Sequence, residues 1–407
     1  MKILIVSVTL PPENSAVANL IKKLIPHFQE KGCQVDGLTL KENYGGESVR
    51  RFDGMTVYYA EYAKQGTNKS FKDRIRFFCK RIETRLPSFW KQGAYRESHA
   101  KAFAKAMKKF GLNDYDRILC VCGYYGAVEG VLRYKKASGL QSKVMLLQVD
   151  PLTDNEVYPK KYYAKRKAYE KMLYETCDRV YTTPIIYKKC AENGFSTKRA
   201  TVAEFPLVCK PENISVVGVP ERKTKEIRCV FAGYLYPTIR DARYTLELFS
   251  RFSNKHITLY ILGRGQETLL DEYEQGFLKG RIVRMGMVPS EISQAFMNDA
   301  DVLVNIGNSV INQVPSKIFD YISRGKCILN TCKSQACPTL SYLSAYPLSI
   351  NVMEDQPLTD EYVAFVENAI VKNAQTRIPF EEISEQFLNC TPKYVAGQLL
   401  EAFSKDQ

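Results

Sequence analysis

Short apolar runs alternate with stretches in which apolar residues recur every third or fourth position. That alternation builds parallel sheets covered by helices, not a sandwich or a bundle. The opening run, residues 2–8, leads through Pro11-Pro12-Glu13-Asn14 into a segment whose Val17, Leu20, Ile21, Leu24, Ile25 and Phe28 fall on one helical face, ended by Gly32. Further strands are predicted at residues 34–40, 55–59, 117–122, 143–149, 179–182 and 200–204. The polar stretch 209–226 carries Pro211, Pro220 and clustered charges, after which the pattern restarts at Ile227-Arg-Cys-Val-Phe-Ala-Gly233. Strands follow at 257–262, 281–284, 301–306, 326–329 and 348–352, and residues 379–403 read as one or two helices. The chain is thus predicted to be α/β, with two parallel-sheet domains at 1–208 and 227–378. A linker at 209–226 joins them, and helices within 379–407 return toward the first. Open sheets of this kind bind ligands outside the carboxyl ends of their strands, so a cleft between the domains is expected and chemistry is sought in the loops after strands.

The 407 residues leave room for two or three domains, and 45% apolar with 25% charged residues excludes disorder, collagen and long coiled coil. No apolar run approaches the roughly 18 residues of a spanning helix, and the amino terminus lacks a small-residue cleavage site, so a soluble or peripheral cytoplasmic protein is expected. The 12 cysteines have no paired metal spacing: Cys120 and Cys122 alternate within a strand, Cys332 and Cys337 bracket a loop, and only His27, His99 and His256 could assist. Buried free thiols are expected, with no metal and no cofactor.

Net charge is +14, and residues 64–110 hold most of it, with 14 Lys and Arg against three Asp and Glu. Phe71, Ile75, Phe78, Ile82 and Leu86 recur at helical spacing among Lys72, Arg74, Arg76, Lys80, Arg81 and Arg85, and Phe103, Met107 and Phe110 repeat the stripe in a second helix. Such helices either pack on the sheet or press into an anionic bilayer. The charge excess favours an anionic membrane surface as partner, with the protein peripheral at the inner face of the cell membrane. The same patch would attract nucleic acid, but no nucleic-acid motif accompanies it, and nucleic acid is not the expected partner.

Candidate chemistry concentrates in the second half. Asn305-Ile-Gly-Asn-Ser-Val-Ile-Asn312-Gln-Val-Pro315-Ser316-Lys317-Ile-Phe-Asp320 runs from a strand end through a polar loop into a helix that Gly325 stops. Ser316, Lys317 and Asp320 share one arc of that helix. Free amides at its start, the Lys317 charge and the Ser316 hydroxyl together form a site for a diphosphate, and Asp320 suits a sugar hydroxyl pair. The bland alternative is a capped surface helix with an i,i+3 ion pair. Phe231-Ala-Gly233-Tyr234-Leu235, followed by Arg240, is a strand entering a glycine turn with a cation behind it. Ile261-Leu-Gly263-Arg-Gly265-Gln-Glu267 is another such turn, and Thr268 stands where a dinucleotide fingerprint needs glycine. No P-loop signature occurs.

In this order, and with Met285-Gly-Met287-Val288-Pro-Ser-Glu-Ile, Ala300-Asp-Val-Leu-Val and Pro315-Ser-Lys-Ile-Phe-Asp-Tyr-Ile-Ser-Arg-Gly-Lys, residues 227–332 resemble the donor half of the two-Rossmann (GT-B) glycosyltransferases. The likeness is to the family-four-like group, in a Pro-Ser-Lys variant, that builds bacterial surface polysaccharides and capsules. The first strand and Val149-Asp150-Pro151-Leu-Thr-Asp-Asn155 resemble its acceptor half more weakly. The resemblance implies two Rossmann-like domains facing across a cleft. It further implies that Gly233, Tyr234 and Arg240 lie near the donor phosphates, that Gly263 and Gly265 line the nucleotide pocket, and that Met287 and Val288 meet the base. Ser316 and Lys317 would hold the diphosphate. The family's paired glutamates fall on Asn312 and Asp320, so only Asp320 keeps a carboxylate, and that departure leaves a catalytically silent nucleotide- or glycan-binding partner as an alternative. Asn14, in a first loop without the family's glycines, and Asn155 fall on the acceptor side. Asp150 would contact the acceptor, act as base, or simply cap a turn. The activity implied is transfer of a sugar from a nucleotide-sugar, UDP-sugar foremost, to a lipid-linked glycan. It would proceed with retention and without metal, and Arg240 and Lys317 would stabilise the departing diphosphate.

Overall fold

The computed structural model describes residues 1–13, 15–41, 46–61, 97–155, 158–212, 214 and 218–404. Its contacts divide into two compact units, one formed by Met1–Leu207 with Asn389–Gln407 and the other by Val208–Leu388.

The first unit is an eight-stranded sheet, and its described α-helices before residue 208 are α1 (Ala16–Glu30), α2 (Glu97–Lys109), α3 (Gly126–Ser138), α4 (Tyr163–Thr176) and α5 (Pro184–Glu192). In chain order the strands are β1 (Lys2–Val6), β2 (Gln34–Leu40), β3 (Val49–Phe52), β4 (Met55–Ala60), β5 (Arg117–Cys122), β6 (Lys143–Gln148), β7 (Arg179–Thr182) and β8 (Ala200–Val202). Across the sheet they run β3-β4-β2-β1-β5-β6-β7-β8. All pairs are parallel except β3 with β4. Runs such as Arg-Ile-Leu-Cys-Val-Cys in β5 are buried at every position, as a strand covered on both faces requires. Helix α1 starts where the Ser15 hydroxyl accepts the Ala18 amide at 3.0 Å, and it buries Leu20, Ile21, Leu24, Ile25 and Phe28.

Strand β3 is the element absent from the predicted set. It is an exposed, doubly basic edge strand that lacks an apolar stripe, and it is formed by a hairpin at Asp53-Gly54, both with positive φ. Helix α2 settles part of the basic segment. Phe103 and Met107 are fully buried, packed in one cluster with Val131 of α3, so this half of the apolar stripe is core and not a bilayer-facing surface. Residues 62–96, with the remainder of the stripe and Trp90, lie outside the described residues.

The second unit is a wholly parallel six-stranded sheet. Its strands are β9 (Ile227–Tyr234), β10 (Ile257–Arg264), β11 (Ile282–Gly286), β12 (Val302–Ile306), β13 (Cys327–Cys332) and β14 (Ser349–Met353), in the order β11-β10-β9-β12-β13-β14. Counted from its own first strand this is the 3-2-1-4-5-6 order of the doubly wound nucleotide-binding fold, with its switch point between β9 and β12. The helices are α6 (Arg243–Arg251), α7 (Glu267–Gln275), α8 (Ser290–Asp299), α9 (Lys317–Ile322), α10 (Leu340–Leu343), α11 (Asp360–Asn373) and α12 (Phe380–Gln386).

The segment 209–226 is part of this unit. Arg222 pairs with Asp301 at 2.7 Å, Asn298 donates to the Glu212 carbonyl at 2.9 Å, and Glu226 pairs with the fully buried Arg228 at 2.8 Å. Most charges of this segment are exposed, and it is tied to the second unit through Arg222 and the buried Glu226. Residues 379–388 also belong here, with Glu381 3.5 Å from Lys210. Of the helices after residue 379, α13 (Pro392–Ser404) lies in the first unit, where it packs on α1.

Candidate functional site

The loops that leave β9 and β12, the two strands at the switch point, are bonded to each other. The Ser309 amide donates to the Ile239 carbonyl at 2.7 Å, and the Ser309 hydroxyl donates to that of Thr238 at 2.9 Å. Between them lies Arg240. Its Nε and Nη2 both donate to the Asn308 side-chain oxygen, at 3.2 and 3.0 Å, and its Nη1 reaches the Tyr234 carbonyl at 3.4 Å. Among the described residues no carboxylate pairs with this guanidinium, and burial lowers its pKa. A side chain at position 233 would place its Cβ 3.1 Å from Arg240 Nη1, so the absence of one at Gly233 leaves room for the cation. The buried Tyr321 of α9, whose hydroxyl accepts the Ala232 amide at 3.2 Å and is pushed up to about 12 by burial, brings that helix against the end of β9.

Gly263 and Gly265 have a more local cause than ligand approach. With φ of +137° and +111°, they bring the end of β10 so close to β9 that a Cβ would sit 1.8 Å from the Gly233 oxygen and 2.0 Å from the Leu235 oxygen. The same close approach assembles an aromatic group. Tyr234 and Tyr236 stack with centroids 5.6 Å apart, and the Arg264 guanidinium lies 5.3 Å from the Tyr234 ring. Met287, exposed, and Val288, half-buried, follow β11 at the sheet edge, two strands from β9.

The start of α9 differs from the expectation of a free cation above open amides. Lys317 Nζ lies 3.4 Å from the Asp320 carboxylate, the i,i+3 pair, and both side chains are about one-third exposed. The amides of Ile318 and Phe319 are engaged by the carbonyls of Pro315 and Ser316 at 3.2 and 3.3 Å. Ser316 has helical dihedrals and no side-chain capping bond, and Asn312 is buried in the preceding turn. Of the two cations expected to hold the diphosphate, Lys317 is thus paired with a carboxylate and Arg240 is held by neutral acceptors.

In the first unit, Asp150 follows β6 and leans over the end of β5, with Oδ2 3.9 Å from where a Cβ on Gly123 would lie. Its loop is braced from below. The Asp150 carbonyl accepts the Tyr125 hydroxyl at 2.8 Å. The buried Glu170 carboxylate takes the amides of Leu152 and Thr153, at 3.1 and 2.8 Å, together with the Thr153 hydroxyl and the Gln148 side-chain amide. Burial raises the pKa of Glu170, and these hydrogen bonds oppose the shift. Asn155 is buried and its carbonyl accepts the Tyr158 amide at 3.1 Å, so it shapes the loop and presents little surface to an acceptor. Asn14 lies outside the described residues.

Sequence reasoning missed Asn308, Tyr236, Arg264, Tyr321 and Glu170. Only Asn308 carried a signal, as a polar residue directly after a strand at the switch point. It also missed a cleft of about 410 Å³ beside α6, lined by Asp241, Arg243, Tyr244, Glu247, Tyr273 and Glu354, where burial pushes the Glu354 carboxyl up to about 7. Among the described residues there is no cluster of three metal-ligating side chains, and no helix is long and apolar enough to cross a membrane.

No protein-family model matches the chain, and its sequence matches no curated protein. Solved structures do match it along their whole length. A sucrose-phosphate synthase from Thermosynechococcus elongatus is 13% identical with a TM-score of 0.66, covering 99% of this chain and 98% of that one. The lipopolysaccharide outer core galactosyltransferase WaaB, in apo form, is 13% identical with a TM-score of 0.60 and full coverage of both chains. The catalytic domain of starch synthase IV from Arabidopsis thaliana, bound to ADP and acarbose, is 10% identical with a TM-score of 0.62, covering 99% of each. At such identities the likeness is one of architecture: the chain has the two-Rossmann fold of these GT-B glycosyltransferase structures.

Proposed function

We propose that the protein is a glycosyltransferase that binds a nucleotide-sugar, UDP-sugar foremost, on its second unit and transfers the sugar to a glycan acceptor bound by the first. The observation that carries this reading is Arg240, a half-buried cation with no described carboxylate partner, held by neutral acceptors at the switch point of a doubly wound sheet. Partial burial of a charge without a counter-charge is unfavourable, and a diphosphate there offsets that penalty through charge-assisted bonds of about 1.5–3 kcal/mol each. Two strand spacings, about 10 Å, separate the end of β9 from the end of β11, which leaves a ribose between phosphates at Arg240 and a base at Met287 and Val288. As the sugar–phosphate bond breaks, negative charge grows on the diphosphate, and Arg240 is positioned to stabilise it. Lys317 would join it by exchanging Asp320 for the diphosphate, freeing Asp320 for a sugar or ribose hydroxyl pair. Asp150, on a braced loop at a strand end, is the group proposed to contact or deprotonate the acceptor hydroxyl. Retention rests on the resemblance of the second half of the sequence to retaining enzymes, and no step in this scheme calls for a metal.

The acceptor is proposed to be a lipid-linked glycan of a bacterial surface polysaccharide, met at the inner face of the membrane. What supports it is the sequence of residues 64–96, where basic side chains flank an apolar stripe. The test is a titration of UDP, GDP and ADP together with a donor panel assayed for sugar release. At least one nucleotide is expected to bind the wild-type chain, and Arg240→Ala is expected to weaken it about 100- to 1000-fold, the loss of two charge-assisted bonds. Absence of binding by all three nucleotides would refute the reading.

A further inference from the structure

Arginines buried in proteins are ordinarily paired with carboxylates, because the planar fork of the guanidinium matches a carboxylate's two oxygens. This chain uses both carboxylates and neutral acceptors: the buried Arg281 donates to the Phe249, Ser250 and Phe277 carbonyls, and Arg324 donates to the side-chain oxygens of Asn298 and Gln294. The fully buried Arg228 is held by Glu226 and Asp299, and the more exposed Arg284 and Arg133 pair with Glu267, Asp271 and Glu274 and with Glu97 and Glu129. Arg240, half-buried, belongs with the neutrally held group, and it is the member that sits at the switch point. Two of its nitrogens converge on one oxygen of Asn308, a side chain with the shape of aspartate but without its charge. Asn308 is itself 7% exposed and sits in the loop that Ser309 ties to residues 238 and 239, so its position is set by the fold.

A guanidinium has five N–H groups. Asn308 and the Tyr234 carbonyl use one on each of the three nitrogens. One N–H remains on each terminal nitrogen, a pair spaced for two oxygens of a phosphate. Aspartate at position 308 would hold the arginine as firmly while cancelling its charge, and an apolar residue would leave both charge and orientation unsupported.

We propose that Asn308 is a positioning residue that aims Arg240 at a nucleotide diphosphate while leaving its positive charge uncompensated. This rests on the donor-binding reading and adds to it the reason for an amide at this place. The consequence is an opposition between stability and binding that a purely structural asparagine would not show. In Asn308→Asp the new carboxylate pairs with Arg240, so the protein without nucleotide melts at or above the wild-type temperature. A bound diphosphate must then compete with a fixed negative charge. In Asn308→Ala the fork is lost, and both melting temperature and affinity fall.

The experiment is calorimetric titration of UDP, GDP and ADP into wild type, Asn308→Asp and Asn308→Ala, with thermal melts of each protein alone. For whichever nucleotide binds the wild type, at least a hundredfold loss is expected in Asn308→Asp without any loss of melting temperature, and about a tenfold loss in Asn308→Ala. Binding by Asn308→Asp within threefold of wild type overturns the role of Asn308 while leaving the donor site intact. Failure of the wild type to bind any of the three overturns both. Should Asn308→Asp melt below the wild type, the pairing idea is wrong. In that case Asn308→Ala decides the positioning role, and wild-type affinity in that variant overturns it.

Discussion

Gly263 offers the sharpest test of how the second unit is built. Alanine there must adopt φ near +137°, and its Cβ would lie 1.8 Å from the Gly233 carbonyl oxygen, far inside contact distance. The dihedral alone costs about 1–3 kcal/mol for a residue with a side chain. Relief of the overlap requires the ends of β9 and β10 to separate inside a paired sheet, an overpacking cost of about 1–3 kcal/mol more. Gly280 provides the control, with φ of +75° and nothing within 4 Å of its missing Cβ, so alanine there meets only the left-handed penalty of about 1–2 kcal/mol. At about 2–4 °C per kcal/mol for a unit of this size, Gly263→Ala is expected to lower the melting temperature by about 10 °C and Gly280→Ala by about 4 °C. Differential scanning calorimetry of the three proteins measures both. Equal shifts, or a larger one for Gly280→Ala, would refute the claim that close strand approach requires this glycine. Because the overlap opens the turn next to Tyr234 and Arg240, nucleotide binding in Gly263→Ala should weaken as well.

Three further outcomes follow from buried ionisable groups. Glu170→Ala strands the donors of Gln148, Leu152 and Thr153, and urea unfolding should show the first unit destabilised by about 3–5 kcal/mol, with Glu170→Gln less affected because its amide oxygen still accepts. Lys326, whose Nζ donates to the Ala300 carbonyl at 2.6 Å, is lowered to about 7, first by burial and then by Arg377. With the folded pKa below the unfolded one, the unfolded chain binds more protons between pH 7 and 10.5, so this group makes stability rise across that window, and Lys326→Met should flatten the rise in melts recorded against pH. Glu354 is shifted the other way, up to about 7 from 4.5, so its contribution falls as pH increases through that interval, and Glu354→Gln should remove that decline.

Much of the architecture was legible in the amino-acid order because strand and helix periodicities are local. Every strand of the parallel sheets declares itself by an apolar run, and the restart at Ile227 marks the second sheet. Even β3, which has no apolar stripe, left a trace in the Asp53-Gly54 hairpin dipeptide. Local composition is silent where partners lie far off in the chain: residues 209–226 read as a solvated linker, and nothing in their order indicates that Arg222 is held by Asp299 and Asp301, some 80 positions away. The site follows the same division. Glycine turns and cations after strands pointed to Gly233, Arg240 and Lys317, yet no sequence spacing indicates that Lys317 is already paired with its neighbour while Arg240 is held by an uncharged side chain 68 residues later. Residue order determined which groups end up at the carboxyl ends of the strands. Only the folding of β9 beside β12 decided which of them keeps an uncancelled charge, since cancellation depends on distance in space and not on separation along the chain.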